Sequence, residues 1–228
     1  MATGVLLSGG LDSAVLLAEE AASDAGVQPI YVSGGLAWEA SERAMVARLL
    51  DASPLRGRTR RLVALSVDMH DVYAATHWAL TGKPPAYHTP DEDVYLPGRN
   101  IVLLGKAAVF CATANLSRLV LGTLGHNPFP DATPDFRTAM ARAVSLGLAH
   151  DIRIDAPYAA IDKADVIRRG ASLGVPFELT LSCMNPNGTR HCGACSKCRE
   201  RHDAFLDAGL ADPTDYVERT HVGTGKTG

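Results

Sequence analysis

The chain is 228 residues long, has a formal net charge of −3, and is 46% hydrophobic and 21% charged. This length suits one sizeable domain, or a domain with an appendage, in an ordinary soluble globular protein. The slightly acidic balance argues against a non-specific nucleic-acid or membrane surface, and no apolar run approaches the roughly 20 residues of a membrane span. We therefore expect a cytoplasmic protein with a small-molecule substrate, no membrane association and no nucleic-acid partner.

The N-terminal stretch predicts a strand, a glycine turn and a helix in immediate succession. The apolar run at residues 5–7 leads into Ser8-Gly9-Gly10-Leu11-Asp12-Ser13, and a helix is expected over residues 11–24. The two glycines permit a tight turn, and the free N–H groups at a helix start form an anion site, with phosphate the expected ligand. The stretch lacks the lysine of the G-x-x-x-x-G-K-[ST] loop. The simpler alternative is an ordinary helix start, in which Asp12 interacts favourably with the helix dipole.

Alternating strand and helix patterns follow, which predict an α/β fold with a parallel, doubly wound sheet. Further strands are expected at residues 27–32, 62–67, 116–122 and 152–156, and further helices at 38–50, 101–114, 135–148 and 163–173. Asn100 is the expected N-cap of the helix at 101–114, and Asp162 that of the helix at 163–173. Ligands of such sheets bind beyond the carboxyl ends of the strands, where the glycine turn also falls.

Residues 71–97 show no clear periodicity and contain four prolines. A segment of this length is usually functional or mobile, so we expect a loop that covers the substrate, with a plain surface excursion as the alternative. Arg99 follows this loop at the expected ligand edge, and its guanidinium group suits a carboxylate or a phosphate.

Three more residues are candidates for contact with a ligand. The loop at 123–131, at the carboxyl end of the fourth strand, has an aromatic ring at Phe129 and a carboxylate at Asp131. Lys163 lies in the first turn of its helix, where a cation opposes the helix dipole. A position facing bound phosphates would explain this lysine, and a solvated surface lysine is the alternative.

Four of the five cysteines lie close together near the C-terminus, at Cys183, Cys192, Cys195 and Cys198. Two overlapping C-x2-C pairs and one earlier cysteine can bind one tetrahedral Zn²⁺, which would be structural because no coordination position stays open. The metal would then supply folding energy to this segment. A [4Fe–4S] cluster is the alternative. His191 is not needed as a ligand, and Cys111 is expected in the core.

The sequence motif Ser-Gly-Gly-x-Asp-Ser at residues 8–13 resembles the PP-loop of the ATP pyrophosphatases, which belong to the adenine nucleotide alpha hydrolase-like superfamily. With Pro97-Gly98-Arg99-Asn100 and the four cysteines, most of the chain resembles the 7-cyano-7-deazaguanine synthase family of the queuosine pathway. Residues 180–205 match the zinc segment of that family, residues 129–136 look like its substrate segment, and residues 163–167 match its lysine-led helix.

The resemblance implies an ATP-dependent carbon–nitrogen ligase. Its substrate would be 7-carboxy-7-deazaguanine, which is adenylated, converted to the amide with ammonia, adenylated again and released as the nitrile with loss of AMP. The loop at residues 8–13 would bind ATP, with Mg²⁺ near Asp12. Lys163 and Arg99 would neutralise charge, while Phe129 and Asp131 would bind the guanine-like ring. The expected assembly is a homodimer.

Two segments depart from the family pattern. Ser33-Gly34-Gly35-Leu36-Ala37-Trp38 stands where an Asp-Tyr-Gly-Gln-Arg-His-type sequence is usual, and Ala132-Thr133 replaces Cys-Arg. These differences leave open a paralogue that activates a related carboxylate or joins it to another amine. A tRNA-modifying PP-loop enzyme and a non-catalytic nucleotide or zinc scaffold are further alternatives. We divide the chain into a PP-loop domain at 1–178 and a zinc-binding helical segment at 179–228 that packs on it.

Overall fold

A computed structural model of the protein describes residues 3–23, 26–125 and 127–221. Five strands form one sheet: β1 (Thr3–Leu6), β2 (Gln28–Ser33), β3 (Val63–Ser66), β4 (Arg118–Val120) and β5 (Arg153–Asp155). Their order is β3-β2-β1-β4-β5 and every neighbouring pair is parallel. The central strand β1 pairs with β2 on one side and β4 on the other. The strand order therefore reverses beside β1, which is where ligands of open parallel sheets bind.

Helices cover both faces of the sheet, as the sequence predicted. They are α1 (Leu11–Ser23), α2 (Glu39–Leu50), α3 (Trp78–Thr81), α4 (Arg99–Thr113), α5 (Pro134–Leu148), α6 (Lys163–Ser172) and α7 (Ser196–Ala208). One core is shared by α1, α2, α6 and α7, and a second lies under α4 and α5 and includes the fully buried Cys111. None of the helices in the described residues is long and apolar enough to cross a bilayer.

The start of α4 differs from the prediction. The helix begins at Arg99, its N-cap is Gly98 with φ +76°, and no side chain caps it locally. Instead, the backbone N–H of Asn100 donates to Asp131 Oδ2 at 3.0 Å, from a distant loop. The prediction of Asn100 as N-cap was therefore wrong, because a tertiary contact satisfies the helix start. For α6 the local prediction is confirmed, since Asp162 accepts a hydrogen bond from the N–H of Asp165 at 2.8 Å.

The segment at residues 71–97 is mostly irregular, with α3 and a 3₁₀ turn at Asp91–Val94 as its regular parts. Helix α7 fixes it in place. The Arg199 guanidinium donates to the carbonyls of Tyr87 at 2.9 Å and Thr89 at 2.7 Å, and to the Asp91 carboxylate at 2.7 Å. The segment therefore lies between the strand ends and the four-cysteine segment.

The C-terminal segment is tied to the rest of the protein by a buried arginine. Arg201 is 0% exposed and donates to Thr214 Oγ1 at 2.5 Å, Thr180 Oγ1 at 2.8 Å and the Phe177 carbonyl at 2.8 Å. Phe205, one turn further along α7, joins the core shared with α1 and α6. The division of the chain at residue 178 stays a proposal, and residues 222–228 lie outside the described part.

Candidate active site

The glycine turn between β1 and α1 is held by contacts among its own small polar groups. Ser8 Oγ lies 3.2 Å from Ser13 Oγ and accepts a hydrogen bond from the Gly10 N–H at 3.3 Å. Ser13 Oγ also donates to the Gly10 carbonyl at 3.1 Å. Gly9 has φ +81°, and a Cβ there would come within 2.9 Å of Val46 Cγ2, so a larger residue is excluded. The turn thus opens onto the carboxyl edge of the sheet.

A cluster of four charged side chains lies beside this turn. Asp12 Oδ2 is 3.4 Å from Lys163 Nζ, Lys163 pairs closely with Glu200, and Glu200 pairs with Lys197. Burial would lower the pKa of Lys163, but Asp12 and Glu200 outweigh burial and raise it above its ordinary value. The lysine is therefore a fixed cation at the edge of the glycine turn.

The Asp12 carboxylate is less well satisfied than its neighbours. Burial raises the pKa of Asp12, and the attraction of Lys163, which it shares with Glu200, offsets this only in part. Its Oδ1 atom is buried without a hydrogen-bond partner in the described part of the chain. A buried unpaired carboxylate oxygen is unfavourable unless a cation or a donor completes it.

A cleft of three connected lobes surrounds Asp12. The first, which we call the strand-end lobe, is lined by Leu6, Ile30, Tyr31, Val32, Leu121 and Gly122. The second, the aromatic lobe, is lined by Trp38, Trp78, Val94, Leu96, Phe129 and Met184. The third, the lysine lobe, is lined by Asp91, Pro128, Asp162, Lys163, Lys197 and Glu200. Asp12 and Asn127 line all three. The lobes measure about 210, 240 and 250 Å³ and share lining residues, so together they suit a small molecule, whose sites usually measure about 300–1,000 Å³.

Arg99 and Phe129, both predicted from the sequence, reach the cleft. Arg99 lines the strand-end and aromatic lobes. Phe129 lines the aromatic and lysine lobes and stacks on Tyr95 with the ring centres 5.0 Å apart. The cleft therefore combines a cation and an aromatic surface near the glycine turn. Residue 126, part of the predicted loop at 123–131, lies outside the described residues.

Asp131 is placed differently from the other candidate residues. It is 6% exposed and is not among the residues that line the three lobes. Its carboxylate accepts hydrogen bonds from the backbone N–H of Asn100 at 3.0 Å and from the Asn100 side-chain amide at 3.3 Å. In this structure Asp131 therefore supports the start of α4, and its burial keeps it from contact with a molecule in the cleft.

A buried carboxylate at Glu42 is a cleft residue that the sequence analysis missed. It lines the strand-end and aromatic lobes and accepts hydrogen bonds from Tyr31 Oη at 2.9 Å and Trp38 Nε1 at 3.1 Å. Burial raises its pKa to about 7, although Arg99 acts in the opposite direction. Glu42 could not be singled out in the sequence, because a glutamate in an amphipathic helix usually faces solvent.

The segment that departs from the family pattern forms a tight turn held by Glu39. Its carboxylate bonds to Ser33 and accepts the N–H groups of Gly34 at 2.6 Å and Gly35 at 3.1 Å. This turn directs the chain from β2 into α2, which carries Glu42. Of the different sequence, Trp38 lines the aromatic lobe of the cleft.

The four predicted metal ligands come together. The sulfur atoms of Cys183, Cys192, Cys195 and Cys198 all lie within 4.8 Å of one another. Backbone N–H groups point at them, for example those of Asn185 and Cys192 toward the Cys183 sulfur at 3.3 and 3.2 Å. Gly193, with φ +81°, is required because a Cβ would meet the Glu218 carbonyl oxygen at 1.9 Å. These cysteines can hold a metal ion.

His191 is outside the ligand set, in keeping with the expectation that four cysteines suffice. Its Nε2 atom accepts a hydrogen bond from the Ser182 N–H at 3.1 Å. Burial lowers the pKa of His191 to about 2, which keeps the ring neutral.

Comparison with known proteins agrees with this geometry. Residues 3–209 match the sequence profile of the family described as queuosine biosynthesis protein QueC. The chain belongs to the QueC family. A 7-cyano-7-deazaguanine synthase of Methanoculleus marisnigri is 35% identical, with 92% of this chain and 96% of the relative covered. The 7-cyano-7-deazaguanine synthase of Azoarcus sp. is 33% identical, with 94% and 96% covered.

Solved structures are more distant from this QueC-family chain. The crystal structure of a predicted subunit of tRNA methyltransferase from Methanocaldococcus jannaschii matches with a TM-score of 0.48 and 15% identity, covering 75% of this chain and 74% of that one. The U34-tRNA thiolase NcsA from Methanococcus maripaludis matches with a TM-score of 0.45 and 12% identity, covering 91% and 67%. The fold assignment rests on the sheet order and the family match.

Proposed function

We propose that this QueC-family protein is an ATP-dependent ligase that converts 7-carboxy-7-deazaguanine to 7-cyano-7-deazaguanine with ammonia. The observation that carries the proposal is the intact Ser8–Ser13 turn with Lys163 beside it, in a chain whose relatives are named 7-cyano-7-deazaguanine synthases. Neither the paralogue nor the tRNA-modifying alternative is favoured, because these relatives cover more than nine-tenths of the chain.

Two adenylations account for the reaction. A substrate carboxylate oxygen attacks the α-phosphorus of ATP and pyrophosphate leaves, after which ammonia displaces AMP and gives the amide. The amide oxygen then attacks a second ATP, and loss of AMP and protons leaves the nitrile. Negative charge accumulates on the departing phosphates in both steps, so stabilisation by fixed cations is the main catalytic requirement.

The glycine turn at Ser8–Ser13, which we call the phosphate loop, and its neighbours meet this requirement. In our proposal Ser8, Gly9, Gly10, Leu11 and Ser13 bind the phosphates through the turn and the first N–H groups of α1. Lys163 and Arg99 offset the negative charge on the pyrophosphate and on the substrate carboxylate.

Asp12 fits a Mg²⁺ that arrives with ATP. Its Oδ1 atom is buried and unpaired, and oxygen atoms of carboxylates and phosphates are the ligands that Mg²⁺ prefers. When bound, the ion would neutralise phosphate charge. Lys163 would then hold the other Asp12 oxygen in place through the ion pair at 3.4 Å.

The substrate ring belongs in the aromatic lobe in this proposal. Phe129 offers a stacking surface there, and Arg99 reaches the same lobe to meet the carboxylate. Asp131 has free acceptor sites besides its bonds to Asn100, but it is buried outside the three lobes and would reach the ring only if the loop around it moved. We retain Asp131 as a substrate-binding candidate on this condition.

Zinc suits the four cysteines better than an iron–sulfur cluster. Tetrahedral Zn–S bonds of about 2.3 Å place sulfur atoms roughly 3.8 Å apart. The sulfur pairs Cys183–Cys195, Cys192–Cys198 and Cys195–Cys198 are separated by 4.0, 3.8 and 3.5 Å. A [4Fe–4S] cube sits between its cysteine ligands and holds them farther apart. We therefore propose structural Zn²⁺, whose role is to fold the residues around it.

We further propose a homodimer and a cytoplasmic location. Helix α5 carries apolar residues, yet none of its side chains is fully buried, and Ile101, Val109 and Leu146 are about half exposed or more. A second copy of the chain could cover such surface. All five cysteines are free of disulfides, which fits a reducing compartment.

The direct test supplies the purified protein with 7-carboxy-7-deazaguanine, ammonium and Mg-ATP, followed by mass spectrometry of the products. We expect the nitrile, with two AMP formed for each nitrile. Amide as the final product, or no product, would contradict the proposed reaction. Sedimentation of wild-type protein and an Ile101→Asp variant tests the dimer, which is wrong if both are monomeric.

A further inference from the structure

The cleft has few positive groups for a ligand as strongly charged as ATP. Among the described residues that line its three lobes, the cations are Arg99, Lys163 and Lys197. The proposed function gives roles to the first two. Lys197 comes from α7, the helix that starts at the four-cysteine site, and has no role so far.

Lys197 lies close to the phosphate loop. Its side chain lines the aromatic and lysine lobes together with Asp12 and Lys163. It is 27% exposed, and its ammonium group pairs with the Glu200 carboxylate, which also pairs with Lys163. One carboxylate thus bridges two ammonium groups at the mouth of the phosphate loop.

The position of Lys197 is fixed by its neighbours. Cys195 is the N-cap of α7 and Cys198 lies in its first turn, so Lys197 stands between two of the clustered cysteines. The N–H of Ser196 donates to the carbonyl of Pro85 at 3.2 Å, which ties the same turn to the 71–97 segment. The backbone of Lys197 is therefore held from both sides, and binding an anion costs little further ordering.

We propose that Lys197 binds the pyrophosphate portion of ATP together with Lys163, and that Glu200 is a positioning residue that holds both ammonium groups before ATP arrives. This inference rests on the proposed function. Two partly buried ammonium groups repel each other unless an anion lies between them. Glu200 supplies that anion in the free protein, and the pyrophosphate charge takes over when ATP binds.

The test measures binding of Mg-pyrophosphate, Mg-ATP and AMP by calorimetry. Loss of one charge-assisted phosphate contact should weaken pyrophosphate and ATP binding to a Lys197→Ala variant by about ten- to a hundred-fold. AMP, which lacks the pyrophosphate, should bind almost unchanged. The matched control is Lys106→Ala, which removes an exposed lysine of α4 outside the cleft. A Lys197→Arg variant should keep most of the pyrophosphate affinity.

Different outcomes of these binding experiments contradict the role of Lys197 and the proposed function. Equal weakening of AMP and pyrophosphate, loss of bound metal from Lys197→Ala, or unchanged binding of all three ligands would overturn the role of Lys197. Wild-type protein that binds neither ATP nor pyrophosphate would overturn the proposed function itself.

The role of Glu200 is tested separately, by thermal unfolding with and without pyrophosphate. A Glu200→Gln variant should be less stable than wild type without ligand, because the two ammonium groups lose their shared counter-ion. Pyrophosphate should then raise its melting temperature by more than it raises that of wild type. An equal rise in both proteins would show that Glu200 does not position the lysines.

Discussion

The phosphate loop, which contains Asp12, and helix α7, which carries Lys197 and Glu200, form two walls of the cleft in different ways. The loop is six consecutive residues whose shape comes from two glycines and short contacts between Ser8 and Ser13. Helix α7 reaches the same cleft from almost two hundred residues away and is anchored by the clustered cysteines and by Arg201. One wall is therefore formed by local backbone geometry, whereas the other depends on a folded accessory segment.

This difference indicates that substitutions in the two walls of the cleft should have different effects on activity and stability. Changes to the polar side chains of the loop should impair ATP chemistry and leave the fold intact, because these side chains are not part of the hydrophobic core. Changes in the cysteine cluster should impair the fold first and the chemistry as a consequence. Four substitutions test this contrast.

The largest effect is expected from Cys195→Ser. Loss of one ligand from a four-cysteine site should abolish tight metal binding and destabilise the protein by about 4–5 kcal/mol or more, since metal binding and folding are coupled in structural sites of this kind. Metal analysis and thermal unfolding measure both. The control is Cys111→Ala, which removes the buried cysteine outside the cluster and should keep the metal. Unchanged metal content in Cys195→Ser would refute the metal site.

Asp12→Asn should act on the chemistry alone. The change keeps the size of the side chain but removes the carboxylate that faces Lys163, so AMP formation should fall about 100-fold or more. The melting temperature should stay close to that of wild type, in contrast to Cys195→Ser. Asp135→Asn, at an exposed position in α5, is the matched control. Wild-type rates in Asp12→Asn would remove Asp12 from the proposed mechanism.

Glu42→Gln should change how stability depends on pH. Burial raises the pKa of Glu42 from 4.5 in an unfolded chain to about 7 in the folded protein. The stability that the protonated Glu42 contributes is therefore fully present below pH 4.5. As the pH rises through 7, roughly 3 kcal/mol of the free energy of unfolding is lost. Urea unfolding at pH 5 and pH 8 should show wild type losing stability relative to Glu42→Gln. Parallel profiles would contradict the shift, and Glu178→Gln is an exposed control.

The smallest effect is expected from Arg199→Ala. Loss of its bonds to Tyr87, Thr89 and Asp91 should loosen the 71–97 segment by about 1–2 kcal/mol and leave the rest of the fold unchanged. Hydrogen exchange should become faster at residues 87–91, while Arg58→Ala, at an exposed position, should leave it unchanged. Equal protection in the two variants would show that the segment is held by other contacts.

The two walls also differ in how far the sequence predicted them. The order of strands and helices, the cap at Asp162 and the grouping of the four cysteines are confirmed, because each depends on neighbours in sequence or on spacing. The prediction at Asn100 failed because the N–H groups at the start of α4 are met by Asp131, thirty-one residues away.

The amino-acid sequence by itself determined the glycine turn, the α/β sheet and the group of four cysteines that can hold a metal ion, since backbone propensity and cysteine spacing are local properties. Only the tertiary structure decided that Glu42, Lys197 and Glu200 face the cleft. In the sequence they are ordinary charged residues of amphipathic helices. Such residues usually face water, which solvates their charge. Packing turns them toward Asp12, and their chemistry follows from the burial and the charged partners that this packing creates.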